Sequence, residues 1–144
     1  PTRFYEELFE IRMIFEPAAA AQAAGRVNQL GCEELYRLCD QIAAATSRAD
    51  FALADYAFHK QVLKMSGNRF LQSLGDLVQT ALYSLFMSES NRDYADRRES
   101  VAEHHRAIVA AIASGTPDAA REAMGRVIHD GYWNAIPAGR AAGG

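Results

Sequence analysis

"LADYAFHKQVLKMSGN", residues 53 to 68, carries both the helical pattern and the chemistry of this chain. Phe58, Val62 and Met65, with Phe51 and Ala54 just upstream, recur at steps of three and four, the period of a helix that buries one stripe. Gly67 followed by Asn68 supplies a stop and then a cap for the next helix. Asp50 is the expected N-cap at the other end. Asp55 and His59 stand four apart and therefore share a helix face. Two readings are open for them: a carboxylate and an imidazole that hold one ion together, or an ordinary side-chain pair along a helix.

The same period extends in both directions. Upstream, a first helix is expected from about Arg3 to Gly25, with Leu8, Ile11, Phe15, Ala18 and Ala19 on one face, and Pro17 should kink it or start a new helix. A second follows Gly31 and carries Leu35, Leu38, Cys39 and Ile42. Downstream, a long apolar helix runs from Arg69 to Ser88 with Leu71, Leu74, Val78, Leu82 and Leu85 on its stripe. The polar stretch "SESNRDYADRRES" reads as the longest loop, with room for a short helix. A fifth helix covers about Glu99 to Ser114, "GTPD" ends it, and a sixth runs from Asp118 to about Ile136. The last residues, 137–144, bury nothing and read as a disordered tail. The architecture expected is all-α, an antiparallel bundle of about six to seven helices.

Composition narrows the function classes. The chain has 144 residues, enough for one domain with a core, and its net charge of −3 with scattered basic residues lacks the footprint of a nucleic-acid surface. No apolar run is long enough to span a bilayer and the opening "PTRFYEELFE" is too acidic for a signal peptide, so a cytoplasmic protein without membrane contact is expected. Cys32 and Cys39 lie about 10 Å apart in helical rise, too far for a disulfide, and read as small core residues. The motifs HExxH, GxSxG, the P-loop, GxGxxG and Glu-x-x-His are all missing, which argues against hydrolase, kinase and di-iron chemistry.

His105 strengthens the metal reading. It lies on the stripe of Val101, Ile108 and Ile112, so it should point into the bundle, where a buried imidazole needs a partner. Asp55, His59 and His105 together would form a three-donor site of the kind zinc accepts. His104, one step round the helix, belongs at the rim. Arg12 and Glu16 are again four apart, either a surface ion pair or a guanidinium lining a cavity where it could hold an effector carboxylate. Tyr132 and Trp133 either cover the pocket or dock the terminal helix.

Three segments, "LFEIRMIFEPAAAAQAA", "DYAFHKQVLKMSGNRFL" and "EHHRAIVAAIASGTPDAAREAM", resemble in order and spacing the FCD domain, the ligand-sensing C-terminal domain of FadR-branch GntR transcription regulators. The resemblance implies an all-helical homodimeric bundle over residues 1–136 that senses a small carboxylate, with a divalent metal, Zn or Ni, in its cavity and no catalysis. It implies metal ligands at Asp55, His59 and His105, an effector-binding role for Arg12, and a fourth histidine on the last long helix. Counted without gaps, that fourth position falls on Val127, and the nearest histidine, His129, is rotated from it by about 200°. Three outcomes stay open: a three-ligand site completed by water or effector, a shifted helix that brings His129 in, or a cavity without metal. Members also carry an N-terminal winged helix-turn-helix to which nothing here corresponds, so operator DNA would be read by a domain outside this chain. The alternatives to a sensor are a purely structural dimerisation module and a metal-dependent enzyme.

Overall fold

The computed structural model describes residues 2–26, 28–88 and 94–135. They form α1 (Thr2–Ala24), α2 (Gln29–Ala44), α3 (Arg48–Met65), α4 (Arg69–Ser88), α5 (Tyr94–Ala113) and α6 (Pro117–Ala135), with no strand among them. The tail expected at 137–144 and the side chain of Trp133 lie outside the described residues. None of these helices is long and apolar enough to cross a membrane.

Helix ends follow side-chain chemistry. Asn68 caps α4 as expected, its Oδ1 accepting from the amides of Phe70 at 2.9 Å and Leu71 at 3.1 Å. Gly67 precedes it with φ of 74°, a conformation other residues reach at a cost. Other boundaries differ from those read in the sequence. The N-cap of α3 is Ser47, whose Oγ accepts from the Asp50 amide at 3.0 Å, so Asp50 sits inside the first turn, where its charge suits the helix dipole. Asn28 caps α2 ahead of Gly31, and Gly31 is a buried position within the helix, where a Cβ would lie 2.8 Å from Met65 Cε. α5 begins at Tyr94, which turns most of the polar stretch into helix, and α6 begins at Pro117, where the missing proline amide costs nothing. α1 continues through Pro17 rather than restarting. The proline leaves the Met13 carbonyl without its intrahelical donor, while buried Phe15, Ala19 and Ala20 hold the helix on either side.

α1 packs mainly along α6, α2 along α3 and α5, α3 along α4, and α5 along α6. The short links within the α2/α3, α3/α4 and α5/α6 pairs turn each helix back on its predecessor, giving the expected bundle. Its largest core cluster joins Ala20, Ala23 and Ala24 of α1 to Leu35, Phe58, Ile108, Ile112, Met124 and Ile128. Alanines let α1 approach closely. Cys32 and Cys39 are buried free thiols in this core, and burial pushes Cys39 up to about 12, which keeps it unreactive at neutral pH. A second cluster gathers Leu8, Phe15 and Ala19 with Leu63 and Val78, and a third gathers Ile42, Phe51, Ala54 and Ala102.

Replacing Asn68 by alanine removes both cap hydrogen bonds without touching the core. Asn68→Ala is expected to lower unfolding stability by about 1 kcal/mol, read by urea denaturation. No change would mean that the fourth helix is held by packing alone.

Candidate metal centre and cavity

The clusters leave a cavity of about 190 Å³ whose lining comes from five of the helices, all but α2. Asp55 and His59, one turn apart on α3, and His105 on α5 bring ligand atoms within 4.8 Å of one another. His59 Nε2 lies 3.4 Å and His105 Nε2 2.8 Å from the same Asp55 Oδ1. The two rings stand almost perpendicular, 88° between planes, with Phe58 edge-on to both.

The other ring nitrogens settle the tautomers. His105 Nδ1 faces the Val101 carbonyl at 2.7 Å, and a carbonyl only accepts, so Nδ1 carries hydrogen. His59 Nδ1 donates to Glu16 Oε1 at 2.5 Å. In both rings Nε2 is then the nitrogen turned toward Asp55 Oδ1, and the one placed to take an ion. Imidazole Nδ1 held by a carbonyl or carboxylate, with Nε2 free, is the outer-shell arrangement found around bound metals. The donor set fits a first-row divalent ion.

Glu16 holds the network together. Its Oε2 accepts from Arg12 Nε at 2.5 Å while Oε1 accepts from His59 Nδ1, and both carboxylate and guanidinium are buried. The Arg12–Glu16 pair is thus a buried one, and Arg12 lines the cavity, so the surface-pair reading does not hold. Burial alone would raise the Glu16 pKa, but Arg12 and His59 outweigh it and hold it at about 2. Burial likewise disfavours a charged His59, yet Glu16 and Asp55 lift it to about 9. Burial opposes ionisation of Asp55 too, and the two imidazoles carry it well below its ordinary value.

The remaining candidates separate clearly. Val127 is buried in the cavity wall, whereas the His129 side chain is 56 % exposed, beside Asp130 and edge-on to Phe9. The helix is not shifted, so the rotation between positions 127 and 129 takes His129 away from the three donors. His104 sits at the half-exposed rim, its Nδ1 3.5 Å from Asp130 Oδ2, as its place on the helix required. Tyr132 stacks on Phe9 at 4.3 Å and lines the cavity, so it covers the pocket and docks the last helix at once. Two residues escaped the sequence reading. Glu16 was visible only as a partner for Arg12, and Gln79, fully buried in the cavity wall, stands in α4 with nothing in the pattern to single it out.

The charged network fixes a pH response for the metal-free domain. The Glu16 contribution is complete above its ordinary pKa of 4.5 and is lost as pH falls toward 2. That of His59 is complete below its ordinary 6.5 and is lost as pH rises through 9. Thermal melts in EDTA should therefore show greatest stability between these two ordinary values and a decline on both sides. Glu16→Gln should flatten both limbs; an unchanged profile would mean that this network does not control them.

No curated protein matches the chain. Among solved structures, GntR of Streptococcus agalactiae superposes with a TM-score of 0.76 at 28% identity, over 91% of this chain and 59% of that one. McbR/YncC of E. coli gives 0.77 at 16% identity, over 91% of this chain and 63% of that one, a likeness that bears on the fold alone. The chain thus spans less than two thirds of either. The model of the FCD domain matches residues 7–130, which takes in every helix and all three converging donors, and the chain belongs to the FCD domain family.

Proposed function

We propose that this chain is the effector-sensing and dimerisation domain of a GntR-type transcription regulator, and that it binds a small organic acid through a divalent metal, zinc or nickel, held by Asp55, His59 and His105. The observation that carries the reading is the convergence of two Nε2 atoms and a carboxylate, each ring tied from behind by Glu16 or the Val101 carbonyl. The ion would serve as an electrophilic anchor for a carboxylate. With valine at position 127, three protein donors leave coordination positions for water or the acid. Arg12 holds Glu16, and through it His59, while its guanidinium also faces the cavity.

Sensing needs no turnover. In the intact cytoplasmic regulator, an acid that binds one arrangement of the dimer better than another shifts the balance between them, and operator DNA is read by a separate domain. The first helix carries both Arg12 and Glu16, so occupancy of the cavity bears directly on the N-terminal side of the bundle. Dimerisation has a surface to use. Phe70 and Leu77, 86 % and 71 % exposed, lie two turns apart on one face of α4.

Zn²⁺ or Ni²⁺ added to EDTA-stripped protein should bind in calorimetry and remain after desalting, read by elemental analysis. Asp55→Ala, His59→Ala and His105→Ala should each abolish that binding, Glu16→Gln should weaken it by about 10- to 100-fold, and His129→Ala should leave it unchanged. If the wild-type protein takes up neither ion, the metal reading falls and a structural dimerisation module remains.

The dimer surface has its own test. Phe70→Glu combined with Leu77→Glu should convert a dimer to a monomer in light scattering without loss of helix content by circular dichroism. A dimer that persists would place the interface elsewhere.

A further inference from the structure

Gln79 is 1 % exposed, lies on α4 beside the apolar Val78, and contributes to the cavity wall. Its amide Nε2 has no hydrogen-bond partner among the described residues. A buried donor left unpaired costs free energy that folding must recover elsewhere, and a leucine of similar size would avoid the cost. Gln79 lines the same cavity as the three metal donors, so a molecule anchored at them lies alongside this residue.

Charge says what kind of atom the amide should meet. A divalent ion bound by Asp55 retains one positive charge, and the Arg12 and Glu16 charges offset each other. One carboxylate at the metal balances the site. Of the other charged groups in the lining, Arg97 already interacts with another group, and Asp130 lies beside His104 at the half-exposed rim. A second carboxylate beside Gln79 would be a buried charge facing a neutral amide, which compensates it poorly. A hydroxyl, keto or amide oxygen meets the same amide without that cost.

Resting on the metal-anchored reading of the cavity, we propose that Gln79 is its specificity-determining residue, selecting monocarboxylates that carry a second, neutral oxygen function over plain acids and dicarboxylates. The amide hydrogen-bonds that oxygen while the carboxylate occupies the metal. Sites that hydrogen-bond a ligand oxygen reject analogues lacking it, because the protein group is then left buried and unpaired.

The test is calorimetry on the Zn²⁺-loaded domain with β-hydroxypropanoate, γ-hydroxybutanoate and δ-hydroxypentanoate, against propanoate, butanoate and pentanoate and against malonate, succinate and glutarate. At one chain length or more, the hydroxy acid should bind about 10-fold more tightly than both its parent and the matching diacid. Gln79→Leu should erase the preference over the parent acid while leaving Zn²⁺ affinity and parent-acid affinity unchanged, and should raise the melting temperature of the ligand-free domain. Should the leucine variant fail to fold, Gln79→Met carries the same comparison. A wild-type protein that binds the hydroxy acids and the plain acids equally overturns the role of Gln79, as does a preference for the hydroxy acid over its parent that survives the substitution. If the Zn²⁺-loaded wild type binds none of these acids, the effector reading of the cavity falls with it.

Discussion

A buried carboxylate shared between two cations organises this domain. Glu16 gives one oxygen to Arg12 and the other to His59, and neither oxygen reaches solvent. Removing such charges from water is costly, and mutual attraction recovers the cost only when geometry is good and the lone pairs are used. A hydrophobic triad of similar volume would serve stability at least as well. The retained charges instead fix the orientation of the His59 ring and so aim its Nε2 at Asp55 and His105.

The bundle makes that alignment stiff. α1 passes through Pro17 without restarting, so Arg12 and Glu16 stay on one continuous helix braced by the alanine-lined contact that follows. Phe58, buried and next to His59 in sequence, meets both imidazole rings edge-on and restricts their rotation. His105 draws its orientation from its own helix, through the carbonyl one turn earlier. Each ring is thus held by a hydrogen bond behind and an aromatic edge beside it. A site preorganised in this way spends little of its binding free energy on ordering side chains.

Around the donors the wall is unequal. Val127 and Ile128 make one part of the wall apolar, while Arg12, Gln79 and four tyrosines bring polar groups to the rest. An apolar enclosure with a few convergent polar groups is the usual form of a small-molecule site. Val127 stands in the wall of the cavity and gives that space to hydrocarbon.

Periodicity alone was enough to determine the helical class, the bundle and the inward faces of the third and fifth helices, because each follows from spacing along one helix. Asn68 as a cap and His104 at the rim were legible for the same reason. Helix starts were misread where two good capping residues stood near each other, as with Ser47 and Asp50, since local preference does not choose between them. Only tertiary structure decided that the Arg12–Glu16 pair is buried, that Glu16 reaches His59 forty-three residues away, that Val127 rather than His129 faces the cavity, and that the Gln79 amide lies unpaired in its wall. The reason is physical. Spacing along a helix says which residues share a face, but burial, charge partners and orphaned donors depend on which other helix that face meets.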